Sequence, residues 1–295
     1  MGTDGLDPRK NSSGAVALEL SQLFTAYTKE DPPPERVKPV PIQLVKHAVL
    51  ALQASIFSKA LADMIIIGFF FLLRPGEHTY TTKEHTPFRL QDVSFVVGSS
   101  TVNACVASPQ QLQKATQVHL NFTNQKNGVK DEALTHSDNA EPLLSPLKAV
   151  RRRVQHLRQH NAPAETPLHT VFVDHTTKNI TSTHITNALR SSVRAIGNSL
   201  GLGVSHISAR ALRAGGAMAL LRAGIPSTEA RMFGRWKSWA MMHYLHRSQT
   251  TTSAYASKMV AGGHFTIARH QHLPDDILSR LHTLDIAGHN IPALN

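Results

Sequence analysis

The segment 210–216 combines two arginines with two glycines, an arrangement that favours anion binding. It reads Arg-Ala-Leu-Arg-Ala-Gly-Gly, with Arg210 and Arg213 three residues apart and Gly215 and Gly216 close behind. Residues three apart lie on one face of a helix, so we expect both guanidinium groups to face one anionic partner. Glycine inside a helix costs about 1 kcal/mol relative to alanine, but it lets another backbone approach closely. The segment is therefore predicted to be a closely packed helix start that presents two cations.

Three other segments carry residues of related chemistry. They are Arg74-Pro75-Gly76-Glu77 after an apolar run, Lys126 beside an Asn127-Gly128 turn signal, and Gly234-Arg235-Trp236 followed by Tyr244. Each has an ordinary structural explanation when it is taken singly, such as a surface arginine where a helix ends. Their order and spacing along the chain are more specific than any one of them.

The elements that must position these residues are predicted to be mainly α-helical with a small antiparallel sheet, an α+β fold. Helices are predicted where apolar residues recur at helical spacing or where proline and glycine mark the ends of a segment. These segments are 42–73 (two helices), 146–160, 181 onward, 209–223, 227–233 and about 240–246. Alternating and β-branched residues predict strands in 88–98 and 117–124, with a hairpin over 124–136. The sequence predicts an insertion or a loose loop at 99–116 and little pattern beyond Ser253.

The chain is expected to divide into three parts. Residues 1–41 would form one brief helix and a linker, since five prolines lie within residues 30–41. Residues 42–262 would form the main domain and residues 263–295 a tail.

Composition narrows the partners. The formal net charge of +11, with 18 histidines counted as neutral, favours a polyanion such as nucleic acid. The single Cys105 excludes an internal disulfide framework and a metal site with several thiolates. The sequence also lacks the His-Glu-x-x-His pattern of zinc sites, so no metal is expected. The apolar run Met64–Leu73 is about half the length that a membrane span needs, so a soluble chain without a membrane partner is expected.

These residues, in this order, resemble the catalytic domain of the tyrosine recombinases, or phage integrase family, especially the recombinases of eukaryotic mobile elements. The resemblance covers roughly residues 42–247 and is most specific over 209–246. It implies the DNA breaking-rejoining fold and strand cleavage and rejoining of double-stranded DNA, in site-specific recombination or integration of a mobile element. It further implies a 3′-phosphotyrosyl intermediate, no metal, no ATP and no other small-molecule cofactor. The location implied is the nucleus for a eukaryotic chain and otherwise the cytoplasm.

The resemblance also implies a role for each matching residue. Arg74 and Arg213 match two arginines that bind the non-bridging oxygens of the phosphate, where negative charge builds up during attack. Lys126 matches the general acid that protonates the leaving 5′ oxygen, with Lys130 as the fallback. Tyr244 matches the nucleophile. Glu77 matches an acidic residue that orients a neighbour.

Two positions depart from the family pattern. Arg210 stands where the family's His-x-x-Arg box begins with histidine, and an arginine is a poor base at neutral pH. His206 lies four residues earlier and does not fit the box. The family has His or Trp about nine residues before the tyrosine; that position is Arg235, whereas Trp236 lies eight before Tyr244. We favour Trp236 as the hydrogen-bond donor on the phosphate side.

Three alternatives remain open from sequence. The first is a catalytically inactive relative that only binds DNA, and the second is a basic helical scaffold that uses residues 150–158, Val-Arg-Arg-Arg-Val-Gln-His-Leu-Arg. A type IB topoisomerase would share the same site residues. About forty residues precede the catalytic region, too few for the family's N-terminal clamp domain, so a truncated or degenerate copy is expected. A homo-oligomer on DNA stays open.

Overall fold

The computed structural model describes residues 38–81, 87–122, 132–139, 141–236 and 255–265. Contacts divide the chain into two units, Met1–Arg36 and Val37–Asn295, and the first lies outside the described residues. Lys126, Lys130 and Tyr244 also lie outside them, as does the helix predicted at about 240–246. No helix in the described ranges has the length and apolar character needed to cross a membrane.

Two helices open the second unit, as predicted. Helix α1 spans Ile42–Ala51 and helix α2 spans Ile56–Phe70. Ser55 caps α2, because its hydroxyl accepts a hydrogen bond from the Ser58 N–H at 3.1 Å. Nearly every residue in the second half of α2 is buried, which explains why the run is apolar on all sides rather than amphipathic.

Helix α2 ends at Phe70 and residues 71–74 are not helical, so the predicted helix stop at residues 74–77 is confirmed to within a few residues. A short helix α3 spans Pro75–His78, because proline is tolerated at the first position of a helix. The Glu77 carboxylate accepts a hydrogen bond from the Arg74 N–H at 2.8 Å. This one turn therefore holds Arg74 and Glu77 in fixed relation.

A four-stranded antiparallel sheet follows. Its strands are β1 Val93–Val97, β2 Ser100–Asn103, β3 Gln117–Phe122 and β4 Glu132–Ser137, in the order β2-β1-β3-β4. Strands β3 and β4 pair from Gln117 opposite Ser137 to Phe122 opposite Glu132. The predicted hairpin is thus present, and its predicted Asn127-Gly128 turn lies outside the described residues.

The prediction of a loose loop at 99–116 is wrong. That segment contains β2 and a helix, α4, over Pro109–Lys114. Ser108 and Gln111 form a capping box at the start of α4, with Pro109 at its first position. The short Ser-Pro-x-Gln signal was present in the sequence but was outweighed by the surrounding polar residues.

The basic helix α5 spans Pro146–Gln159, and α6 spans Ser182–Ile196. Between them lies an unpredicted second hairpin, β5 Thr170–Val173 and β6 Thr176–Asn179. Its turn residues, Asp174 and His175, both have positive φ. This Asp-His pair lacks the Asn-Gly signature that usually marks such turns, so the hairpin was missed.

Three helices complete the described part: α7 Ala211–Arg222, α8 Ser227–Gly234 and α9 Tyr255–Gly262. Helix α9 lies where the sequence shows little pattern. Tyr255 is buried, its hydroxyl donates to the Glu229 carboxylate, and its ring lies 4.9 Å from that of Phe233. One residue therefore anchors α9 to α8, which a periodicity argument cannot detect.

The two glycines of α7 serve close packing, as the sequence predicts. A Cβ on Gly215 would lie 2.2 Å from the Val40 carbonyl oxygen, and one on Gly216 would lie 2.3 Å from the Phe69 carbonyl oxygen. Helix α7 therefore packs directly against the backbone of α2 and of the segment before α1. That contact places Arg213, which lies in the first turn of α7, near the end of α2.

Gly216→Ala should destabilise the protein although alanine is the better helix former. The added methyl group meets backbone, and such overpacking costs about 1–3 kcal/mol, more than the gain of about 1 kcal/mol in helix propensity. Urea denaturation should show a lower midpoint than wild type. Gly203→Ala is the matched control, since its Cβ would meet only the His206 side chain at 3.3 Å. Equal midpoints for the two variants would contradict the packing argument.

Candidate anion-binding site

Three arginines from different elements meet around one carboxylate. Arg74 precedes α3, Arg213 lies in the first turn of α7, and Arg235 follows α8. Glu77 lies among them, and we call these four residues the arginine cluster. Residues separated by more than 150 positions thus converge, because α7 packs on α2 and α8 folds back from α7.

Glu77 bonds two of the three guanidinium groups. Its Oε1 accepts from Arg74 Nη1 at 2.9 Å, and its Oε2 accepts from Arg235 Nη2 at 2.7 Å. Burial opposes ionisation of this carboxyl, but the charges of Arg235 and Arg74 and the hydrogen bond from the Arg74 N–H prevail, so the pKa of Glu77 lies below its ordinary value. Glu77 is therefore ionised at neutral pH.

Arg235 is buried by contacts on several sides. Its backbone is left-handed, with φ 57° and ψ 38°, and ends α8 through a hydrogen bond from its N–H to the Met232 carbonyl at 3.0 Å. Its guanidinium lies 4.1 Å from the centre of the Phe122 ring, and Nη1 donates to the Phe71 carbonyl at 3.5 Å. Only 3% of its side chain is exposed. Arg235 thus joins the end of β3 to the loop after α2.

Arg213 contacts the end of α8 at Gly234 and the following Trp236. Its Cζ is 4.5 Å from the centre of the Trp236 ring, a cation–π geometry. Its Nη2 donates to the Gly234 carbonyl. The Nε and Nη1 atoms are buried and have no hydrogen-bond partner among the described residues. Two donors of a guanidinium are therefore left for a ligand or for chain outside those ranges.

The cluster carries an excess of positive charge. Three guanidinium groups face one carboxylate, a net charge of +2 among these four residues. Burial, reinforced by Arg235 and Arg74, lowers the pKa of Arg213 to about 9, and burial lowers the pKa of Arg235 to about 10. Both remain protonated at neutral pH. A bound anion would relieve the repulsion among the three guanidinium groups, which makes the cluster a candidate anion-binding site.

His78 supports the turn that holds Arg74. Its Nδ1 lies 2.9 Å from the Arg74 carbonyl oxygen, and burial lowers the pKa of the imidazole to about 4. The neutral ring therefore donates from Nδ1 to that carbonyl at neutral pH. It packs against Gly68 of α2, where a Cβ would come within 2.6 Å of Nε2. Sequence analysis gave His78 no role.

The structure brings together three of the four described residues that were predicted as site residues. Arg74, Arg213 and Trp236 lie in or against the arginine cluster, with Glu77 between Arg74 and Arg235. Arg210 does not join them. It precedes α7, its side chain is exposed, and it hydrogen bonds to none of the described residues.

Lys126, Lys130 and Tyr244 lie outside the described ranges, but the described residues that precede their segments lie at the arginine cluster. Phe122, which directly precedes the segment containing Lys126 and Lys130, contacts Arg235. Trp236 directly precedes the segment containing Tyr244. Both segments therefore leave the described fold at residues that touch the arginine cluster.

Arg235 and Trp236 are the two candidates for one position of the family pattern, and both lie in or against the arginine cluster. Arg235 turns inward to Glu77, while Trp236 lies against Arg213. Arg235 adopts the left-handed conformation at the end of α8, which sequence spacing does not reveal. Phe122 gave no sequence signal beyond its place in a strand.

The arginines of the basic helix α5 are bound within the fold. Arg152 donates to the buried Asp63 carboxylate, with the Nε–Oδ1 pair at 2.9 Å. The others donate to backbone carbonyls: Arg151 to Ala115, Arg153 to Leu168 and Thr170, and Arg158 to Ala107. All four arginines thus have hydrogen-bond partners within the fold, although only Arg153 is buried and Arg152 remains 47% exposed.

No family model, curated protein or solved structure matches this chain. Within the described ranges, no three His, Cys, Asp or Glu side chains lie close enough together to hold a metal ion.

Gly234→Ala should displace the Trp236 ring from Arg213. A Cβ at position 234 would lie 1.5 Å from Cζ3 of that ring, so the indole must move and become more exposed to water. The fluorescence emission of Trp236, measured with Trp239→Phe to leave one tryptophan, should shift to longer wavelength. Gly203→Ala in the same background should leave it unchanged. An unshifted spectrum for Gly234→Ala would rule out this ring position.

Proposed function

We propose that the protein cleaves and rejoins duplex DNA as a tyrosine recombinase, through a covalent 3′-phosphotyrosyl intermediate. The observation that carries the proposal is the arginine cluster, with its net charge of +2 and the free donors of Arg213. A phosphodiester is the group in DNA that such a site fits, because guanidinium groups bind its non-bridging oxygens in a fixed fork geometry.

The reaction assigns one task to each residue. The Tyr244 oxygen attacks phosphorus and forms a P–O bond, while the bond from phosphorus to the 5′ oxygen breaks. The electron pair stays on the 5′ oxygen, which takes a proton from Lys126, and the phenolic proton of Tyr244 passes to solvent. Rejoining reverses these steps, with a 5′ hydroxyl as the nucleophile. No net redox change or co-reactant is needed.

Arg74 and Arg213 would stabilise the negative charge that builds up on the phosphate oxygens. The Arg74 side chain is 35% exposed, so it can reach a ligand at the surface. Arg213 is buried and fixed by Gly234 and Trp236, and a donor held in place needs little reorganisation during the reaction. The half-buried Trp236 can limit water around the phosphate and offer its indole N–H.

A catalytically inactive DNA-binding relative is the second candidate. It is favoured by Arg210, which stands where the family has histidine and is exposed, with no hydrogen bond to the arginine cluster. The basic-scaffold alternative is less favoured, since the arginines of α5 donate to Asp63 and to backbone carbonyls of the fold. Covalent chemistry distinguishes the first two candidates.

Wild-type protein should form a covalent adduct with a nicked suicide substrate, whose short 5′ fragment is lost so that religation is blocked. Tyr244→Phe removes only the reacting oxygen and should abolish the adduct while leaving DNA binding intact. Denaturing gel electrophoresis of labelled DNA measures the adduct, and a filter or gel-shift assay measures binding.

Tyr80→Phe is the matched control, since Tyr80 is 45% exposed and should be dispensable. An adduct that persists in Tyr244→Phe but is lost in Tyr255→Phe would contradict the assignment of the nucleophile. Binding without any adduct, on any sequence offered including the flanks of its own element, would favour the inactive relative.

Lys126→Ala should slow cleavage of ordinary DNA by about 10²–10⁴-fold, the contribution typical of a general acid. A substrate with sulfur at the 5′-bridging position should restore the rate nearly to that of wild type, because a thiolate leaves without protonation. Single-turnover cleavage of both substrates gives the comparison. Equal losses on both would assign Lys126 to binding, and Lys130→Ala should then be tested in the same way.

A further inference from the structure

We propose that Arg235 is a positioning residue that offsets the charge of Glu77, so that the positive charges of Arg74 and Arg213 are left uncompensated for a bound anion. The inference rests on the proposed role of the arginine cluster in binding phosphate. It gives Arg235 a task distinct from that of the two arginines that would touch the phosphate.

The Glu77 carboxylate is divided between two cations. One oxygen accepts from the Arg74 side chain at 2.9 Å, and the other accepts from Arg235 at 2.7 Å and from the Arg74 N–H at 2.8 Å. Glu77 therefore holds the guanidinium of Arg74 by a single hydrogen bond, and the negative charge of Glu77 is shared with Arg235. If Glu77 paired with Arg74 alone, its negative charge would cancel the positive charge of Arg74, and Arg74 would attract a bound anion less strongly.

Arg235 is poorly placed to contact a ligand itself. Its side chain is 3% exposed, against 35% for Arg74. Phe122 covers one face of the guanidinium, the Phe71 carbonyl lies within 3.5 Å of Nη1, and Nη2 donates to Glu77, so only the buried Nε has no partner in the described ranges. Its backbone also adopts a left-handed conformation that non-glycine residues seldom take. The fold thus holds this cation against Glu77.

The charges of the cluster explain what Arg235 contributes. With Arg235, three guanidinium groups face one carboxylate and leave a net charge of +2. Without it, Glu77 would be balanced by Arg74 alone, and the net charge would fall by one at the place where an anion is to bind. Removing Glu77 as well would restore the net charge while leaving both ligand-facing arginines in place.

The test measures inorganic phosphate binding by the fluorescence of Trp236, in full-length protein carrying Trp239→Phe and at constant ionic strength. Arg235→Gln should weaken binding about tenfold through the lost charge. The double variant Arg235→Gln/Glu77→Gln should bind within about threefold of wild type. Arg235→Lys, which keeps the charge, should also bind within about threefold. Arg194→Gln, an exposed arginine on α6, is the matched control and should not change binding.

Recovery in the double variant separates the charge role from a purely structural one, since losing two buried contacts should be worse than losing one if only structure mattered. If the wild type binds phosphate but the double variant binds it as weakly as Arg235→Gln does, the role of Arg235 is overturned and the proposed function is left intact. No phosphate binding by wild type would instead overturn the anion-binding role of the cluster. If Arg235→Gln does not fold, weak binding by both the double variant and Arg235→Lys would overturn the proposal.

Discussion

The paired contacts of the Glu77 carboxylate join parts of the chain that are far apart in sequence. Through Arg74 it holds the turn after α2, and through Arg235 it holds the end of α8. Arg235 in turn contacts Phe122 at the end of β3, and Arg213 binds the carbonyl of the neighbouring Gly234. Buried charge is costly unless it is paired, so the position of each of these segments depends on the others. The four-stranded sheet, helix α2 and helices α7 and α8 are thereby held together around Glu77.

Apolar packing makes this electrostatic arrangement possible. Helix α2 is buried along most of its length and ends beside the Arg74 turn. The glycines of α7 let its backbone approach the Phe69 and Val40 carbonyls, closer than any side chain would allow. Backbone contacts of this kind fix the position of Arg213 relative to α2. A site in which several donors are to bind one phosphate needs that precision. The cost of two glycines in a helix is thus offset by the precision of the site.

The formal net charge of +11 is a poor guide to where an anion would bind. Arginines on α5 have the densest positive charge in the sequence, yet they donate to the Asp63 carboxylate and to main-chain carbonyls. The arginine cluster has fewer cations, but Arg213 retains two buried nitrogens and Arg235 one with no partner in the described ranges, whereas on α5 only Nε of Arg151 does. Local pairing, rather than the number of arginines, distinguishes a structural cation from one that can serve a ligand.

Sequence alone determined the α+β class, the main helices and three members or neighbours of the cluster, Arg74, Arg213 and Trp236. These depend on local rules, namely helical periodicity, proline and glycine at boundaries, and the order of polar residues along the chain. It could not decide between Arg235 and Trp236, because the answer depends on a left-handed residue at the end of α8 that is held by distant partners. Nor could it place Arg210 apart from Arg213. Their spacing puts them on one face of an ideal helix, but Arg210 is the exposed N-cap of α7 and Arg213 is buried in its first turn, because only Arg213 lies where α7 packs against the core.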